Sequence, residues 1–434
     1  MVLGLPPMLG FIPLAVFIIL MLLGKNMVLA VLTAFLAGAL LTGAGPVEVG
    51  TAALSGLSSF LGLIGFIVML GSGLGEILTR TNVAPNIVRI VITRANIKTQ
   101  TRAILVTLLL STMMTVMLGT MTGANALLAP IVISVVASMG ITRSTLGVIL
   151  HGGGAVGLMT GPFVPQVASI LQITGLSYGE FMRHTGIPFG VIMLTTTFLA
   201  AKYVQKRTQG ITIYGNETRT ELEITPSVKR GTAVFLIGMV LMIGYGLYIG
   251  GGAPYAIVIM LVMTFSVGIA AGMTPNQVAE ASMAGFSRLA PLFFTFSMFY
   301  PLMNFILETG ALQALALFLA PAIEAGGQIG FMIIITIIGI FGLSGAAVAH
   351  AAVIHYTFGA IAAAMGLSIS IWTSTLMLSS QLNTFAYPGA DMIAQMGLAR
   401  SKDVKAMMCN GMGLTIVTFA FVLIRGIIFV TTGV

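Results

Sequence analysis

Charge is what this chain most lacks. Only 7% of its 434 residues are charged, against about 25% in a soluble domain. With 57% hydrophobic residues and a mean hydropathy of +1.08, it reads as an all-α polytopic membrane protein. Cysteine is almost missing as well. Cys409 alone excludes a disulfide within the chain and any cysteine-held metal cluster. No nucleotide-binding P-loop is present, which argues against direct ATP coupling. No metal cluster or nucleophile–base motif is found either, so neither an enzyme nor a cofactor is expected. The first apolar run, 8–23, has no basic region before it, so no cleavable signal peptide is expected. The formal charge of +8 does not point to nucleic acid, because the basic residues sit between apolar segments. There they orient a protein in a lipid bilayer.

What is there is a series of apolar segments near the ~20 residues that span a bilayer. In the first half they are 8–23, 27–43, 56–78 and 188–201. In the second half they are 232–249, 254–272, 286–307 and 406–431. Two longer stretches, 102–174 and 329–396, are broken internally. Shorter amphipathic pieces, 46–54 and 81–102, are expected along the interface. A polar linker, 202–230, divides the chain into repeats at 1–201 and 231–434.

The halves match in order. PVEVGTAALSGLSS (46–59) aligns with PNQVAEASMAGFSR (275–288), and Ile77-Leu78 with Ile306-Leu307, at one offset of 229. Farther on the offset is 226, pairing Gly119 with Gly345, Met139-Gly140 with Met365-Gly366, and Pro162 with Pro388. An ordered series of this kind favours duplication, and interrupted segments at corresponding positions mark the site of a secondary transporter.

Lys and Arg constrain the orientation. If 103–140 enters and leaves on one side as a re-entrant hairpin, each half has five crossings and the halves are inverted. Placing 81–102 in the cytoplasm then puts 17 of the 19 basic residues there, with Arg183 and Arg425 outside and both termini external. Two full spans in place of the hairpin leave Arg143 on the same side, so charge does not choose between them.

Two breaks carry the chemistry. The first is Thr122-Gly123-Ala124-Asn125. If it is a hairpin tip, the next helix starts there with Thr122 as N-cap, and its free amides and dipole favour an anion. The alternative is a kinked span packed through small residues. The second break is HGGGAVGLMTGPF, from His151, where Gly153, Gly154, Gly157 and Thr160 precede Gly161-Pro162. Its contiguous glycines predict about a dozen unwound residues, with carbonyls for a cation or amides for a carboxylate. A GxxxG seam, the alternative, spaces its glycines along one face.

The second half supplies counterparts. They are Ser344 and Gly345 at the second tip, and Ser380, Asn383 and Thr384 before Pro388. Solute contacts are therefore expected from Thr122, Gly123, Asn125, Gly153, Gly154, Thr160, Ser344, Gly345, Ser380, Asn383 and Thr384. Ion or proton contacts are expected from Thr122, Gly157, Asn383 and Asp391. Asp391 is a candidate cation or proton carrier, or a helix N-terminal carboxylate. His151, His350 and His355 read as packed, hydrogen-bonded histidines, with proton coupling as their alternative.

These motifs resemble the ion transporter superfamily, which includes divalent-anion/sodium symporters, gluconate and citrate permeases, and sodium/proton antiporters. Thr122-Gly123-Ala124-Asn125, followed by ALLAP, stands where the symporters carry a Ser-Asn-Thr tip. Gly152-Gly153-Gly154 and Met159-Thr160-Gly161-Pro162 stand where they carry an unwound Gly-Gly…Thr-Pro motif. The Ser-Asn-Thr triplet itself is absent from both halves. The resemblance implies inverted repeats of five spans and one re-entrant hairpin, a site near the midplane, elevator-type movement and a homodimer. The function expected is sodium- or proton-coupled transport of a small organic anion across the cell membrane. Its alternative is a sodium/proton antiporter without an organic substrate.

Overall fold

The computed structural model describes residues 6–23, 25–162, 164–215, 224–249, 252–341 and 347–433, and every regular element among them is helical. A short 3-10 turn leads into α1 (Ile12–Leu22), followed by α2 (Met27–Thr42), α3 (Pro46–Leu57), α4 (Phe60–Arg80) and α5 (Val83–Arg94). Next come α6 (Gln100–Leu118), α7 (Met121–Ser138), α8 (Arg143–Thr160), α9 (Pro165–Thr174), α10 (Tyr178–Phe181) and α11 (Ile187–Thr208). The second half opens with α12 (Pro226–Ile249), α13 (Gly252–Ala270) and α14 (Pro275–Glu308). It continues through α15 (Ala311–Ile338), α16 (Ala347–Ala364), α17 (Ile369–Phe385), α18 (Ala390–Leu398) and α19 (Val404–Thr432). Among the described residues, eight helices are long and apolar enough to cross a membrane.

The expected spans fall on helices, with three differences. The helix expected to end at 201 runs to Thr208, because Val204, Gln205 and Thr208 are buried. Gln205 bridges the turn before α8, accepting from the Thr142 amide (3.0 Å) and donating to the Gly140 carbonyl (2.8 Å). The matched motifs at 46–59 and 275–288 also diverge. Ser59 caps α4 by accepting from the Gly62 amide, which separates α3 from α4. Arg288 occupies the corresponding place and α14 continues as one helix of 34 residues. Finally, residues 311–326 are helical although no span was expected there. α15 carries Pro321 and bends at Gly327 (φ 58°), which interrupts the apolar periodicity.

Matched helices run antiparallel. From the end of α3 along α4, Gly56 lies against Ser297, Gly65 against Phe293 and Gly73 against Phe286 of α14, so the numbering runs in opposite directions. The Ser72 hydroxyl donates to the Gly285 carbonyl (2.8 Å) and locks the crossing. At one end Glu76 pairs with both Arg80 (2.7 Å) and Arg288 (2.6 Å). For α8 and α17, His151 in α8 meets Thr384 at the end of α17 (3.0 Å). Thr185, beyond the end of α8, meets Ser374 near the start of α17 (2.8 Å).

α6 and α7 form a helical hairpin that turns at Gly119 (φ 70°). At its base the Gln100 amide donates to the Met139 carbonyl (3.1 Å) and the Gly140 carbonyl (3.3 Å). In the second half Gln328 donates to the Met365 carbonyl at the base of α15–α16. Gly140 and Gly366 are both left-handed, with φ of 67° and 75°.

Two arginines are held at packing contacts. Arg143 lies over the Tyr214 ring (5.5 Å), and the Tyr214 hydroxyl donates to the Ala399 carbonyl (2.7 Å). At the far end of α19, Arg425 donates to the His184 carbonyl and the Ser374 hydroxyl.

Candidate functional site

Glycine seldom persists in a helix unless something must come close, and α8 shows what does. The helix is continuous through Gly152-Gly153-Gly154 and Gly157 to Thr160. The dozen unwound residues expected here are therefore not found. A Cβ at Gly153 would lie 2.7 Å from the Leu108 carbonyl oxygen and 2.8 Å from the Ser111 Cβ. One at Gly157 would lie 2.9 Å from the Thr112 carbonyl oxygen. These two glycines, four apart, seat α6 directly on α8 in the small-residue manner. Gly152 makes room for Thr197 of α11, and Gly154 for Met121 and Asn125 of α7. The glycines are contiguous because α8 is approached closely on three sides. Gly153→Ala should accordingly destabilise the fold by about 1–3 kcal/mol through overpacking, despite alanine's better helix propensity. Thermal unfolding in detergent measures this, and an unchanged midpoint would overturn it.

The interruption is shorter and comes later. Gly161 (φ −69°, ψ 128°) and Val164 (φ −68°, ψ 129°) are extended, and α9 begins at Pro165. In the second half α17 ends at Phe385, Gly389 is extended and α18 begins at Ala390. The tip of the first hairpin reaches the same level. Its N-cap is Thr120, not Thr122, which sits in the first turn of α7.

These pieces line a partly open cavity of about 220 Å³. Gly119, Thr120 and Thr122 line it from the tip, and Val164, Pro165 and Gln166 from the first break. Gln381, Asn383, Thr384 and Asp391 line it from the second. Leu292 and Phe296 of α14 close it, halfway along that helix's apolar stretch.

The wall is mainly apolar, and its polar groups are mostly uncharged. Gln166 donates to the Ser380 hydroxyl, tying α9 to α17. The Thr384 hydroxyl donates to Gln381 Oε1 (2.7 Å), and the Thr384 carbonyl meets His151 Nε2 (3.0 Å). A carbonyl only accepts, so that nitrogen carries the proton. Asn383 is 2% exposed, and its Nδ2 has no hydrogen-bond partner among the described residues. Asp391 stands in the first turn of α18 with no ion pair among them.

Of the residues expected to contact solute or ion, Thr122, Asn383, Thr384 and Asp391 meet at this cavity. Asn125 does not reach it. Its Oδ1 accepts from Ser111 (2.8 Å), and its Nδ2 donates to the Leu150 carbonyl (2.8 Å) and Gln395 Oε1 (2.8 Å). It is saturated by protein and binds α6, α7, α8 and α18 together. Gly153, Gly154 and Gly157 are packing positions, and Gly123 is exposed on the tip. The Thr160 hydroxyl donates back to the Val156 carbonyl (2.8 Å), and Ser380 stands behind Gln166. Ser344 and Gly345 lie outside the described residues. Three polar wall residues were not expected: Thr120, Gln166 and Gln381. The two glutamines had a sequence signal, being amides beside a break in an apolar chain. Phe296 had none.

His350 meets the Ser379 hydroxyl (3.3 Å), and His355 accepts from the Trp372 indole (3.1 Å), so the histidines are hydrogen-bonded as expected.

Residues 3–204 match the model of the Na+/H+ antiporter family. The match covers the first half, through most of α11. Among curated proteins no relative matches. Two solved structures share the fold. The YdaH transporter of Alcanivorax borkumensis has a TM-score of 0.57 at 12% identity, over 88% of each chain. MtrF of Neisseria gonorrhoeae, from a class of antimetabolite efflux pumps, has a TM-score of 0.57 at 17% identity. That match covers 97% of this chain and 95% of MtrF. At such identities the likeness is one of fold. This polytopic membrane protein has an architecture that solved transporters adopt, and its first half matches the model of an ion-transporter family.

Proposed function

We propose that this protein is a secondary transporter that couples a sodium or proton gradient to the movement of a small carboxylate-bearing solute. The observation that carries this reading is the cavity where the hairpin tip and both chain breaks meet, midway along α14. Non-helical backbone at membrane depth is tolerated where it lines a cavity, and half-helix ends at such a place are the usual ligands of solute and ion. The starts of α7 and α9 offer amide donors to a carboxylate. The ends of α6, α8 and α17 offer carbonyls to a cation.

Two further features support an elevator-type movement of inverted halves. The matched helices run antiparallel. Among the described residues, every polar wall residue also belongs to α7, α9, α17 or α18 or to the turns that lead into them, whereas α14 contributes Leu292 and Phe296. A solute held by the first group can travel with it past an apolar face. The charge distribution supports a membrane placement with both termini outside, and a homodimer remains part of the reading.

Reconstitution into proteoliposomes tests it. Small carboxylates should accumulate saturably when a sodium or proton gradient is imposed. Failure of every candidate to accumulate under any gradient would overturn the reading. A second reading, sodium/proton exchange with no organic solute, is favoured by the family match over 3–204. It requires sodium to drive proton movement in vesicles that contain no solute.

A further inference from the structure

The chemistry of the cavity wall narrows the solute further, an inference that rests on the transport reading above. α7 and α9 both begin at the wall, and neither has a side-chain cap. Asn26, Ser59, Thr99, Thr142, Thr274 and Ser368 cap their helices with side-chain oxygens, whereas α5, α15 and α18 share the uncapped start of α7 and α9. First-turn amides without a cap need an acceptor from another source. Asn383 independently points the same way. Its Nδ2 is buried, lines the cavity and has no partner among the described residues. An unpaired buried donor is costly until something accepts from it. These donors suit a carboxylate.

Asp391 imposes the opposite demand. Among the described residues it is the only charged side chain on the wall, and no lysine or arginine lines the cavity with it. A solute carrying carboxylates alone would bring negative charge to Asp391 with no cationic side chain among the described wall residues to offset it, leaving a coupling cation as the sole counter-charge. A cation alone would leave Asn383 and the α7 and α9 amides unmatched. A molecule with one ammonium and one carboxylate meets both demands. A small solute fits best, since about 220 Å³ falls below the roughly 300–1,000 Å³ of drug-sized ligand sites. We infer that the solute is a small zwitterionic amino acid. Its carboxylate is held by the first-turn amides of α7 and α9 and by Asn383, and its ammonium by Asp391.

The test is ligand-induced stabilisation of the purified full chain, since a ligand that binds only the folded state raises its melting temperature. The probes are the small neutral amino acids, each paired with the α-hydroxy acid and the amide of the same side chain. At least one amino acid should bind about tenfold more tightly than both its partners, the scale of one charge-assisted contact. Asp391→Asn should erase that preference over the hydroxy acid while the hydroxy acid still stabilises, which shows that the variant is folded. Asn383→Leu should weaken amino acid and hydroxy acid alike and leave the amide unaffected. A hydroxy acid bound as tightly as its amino acid by the native chain overturns the zwitterion and leaves the carboxylate transporter standing. An amide bound as tightly overturns it as well. If no amino acid binds, the inference fails. If in addition no carboxylate accumulates in vesicles, the transport reading fails with it.

Discussion

Asn125→Leu should cost about 2–4 kcal/mol of stability and sharply lower the yield of folded protein, although the side chain is of similar size. Asn125 is fully buried and makes one acceptor and two donor contacts, to Ser111, the Leu150 carbonyl and Gln395. Leucine fills the space without replacing any of them. The main loss falls on Gln395, itself fully buried, whose Oε1 then has no donor. Its remaining contact, from Nε2 to the Thr122 hydroxyl, is long at 3.4 Å. Because an unpaired partner costs more than an absent pair, adding Gln395→Leu should recover part of the loss. A double-mutant cycle on unfolding midpoints measures the coupling. Strictly additive effects would show that the two amides do not depend on each other. A loss of transport with unchanged stability would instead return Asn125 to the role of a solute ligand.

Asp391→Asn should behave in the opposite way. Asp391 has no ion pair among the described residues, and its service to the fold is its place at the start of α18. That position is worth about 0.3–1 kcal/mol, so the unfolding midpoint should barely move. Gradient-driven flux should fall roughly 30–150-fold, the equivalent of the ~2–3 kcal/mol of a hydrogen bond to a charged group. The loss is expected whether the carboxylate holds a solute ammonium or a coupling cation. Asp391→Glu, which keeps the charge at a changed reach, should retain more flux. Flux from proteoliposomes of matched protein content checks both variants. Native flux in Asp391→Asn would remove the residue from the mechanism.

How much of this was legible depended on the type of signal. Span positions follow from apolar length, and the helices appear where those runs lie. The break at 386–389 was marked by Pro388, and Asn383, Thr384 and Asp391 stood out because polar groups in so apolar a chain need partners. The glycine run was misread for a physical reason. Low helix propensity unwinds a peptide in water, but inside a membrane the backbone has no alternative partner and stays hydrogen-bonded as helix. Propensity then cedes to packing. Gly153 and Gly157 stand four apart, which is the seam that α6 occupies. Three adjacent glycines hid that spacing, since each serves a different neighbour. Asn125 could not be separated from a solute ligand in one dimension. Gln395, its partner, lies 270 residues away. Phe296 and Leu292 are invisible for a similar reason, being two apolar residues in a long apolar helix.

The apolar wall built by Leu292 and Phe296 has a further consequence if the other walls move along it. A track lined with hydrogen-bonding groups would hold its rider at fixed stations, since every step would break bonds that only one register can re-form. A track of hydrocarbon has no such stations. Dispersion contacts are non-directional and individually small, so similar ones are recovered one helical turn farther on, about 5.4 Å away. The free-energy profile along such a path would be shallow and finely rippled. The resting positions of the rider would then be set by what sits in the cavity, occupied or empty, and only weakly by the surface it slides on.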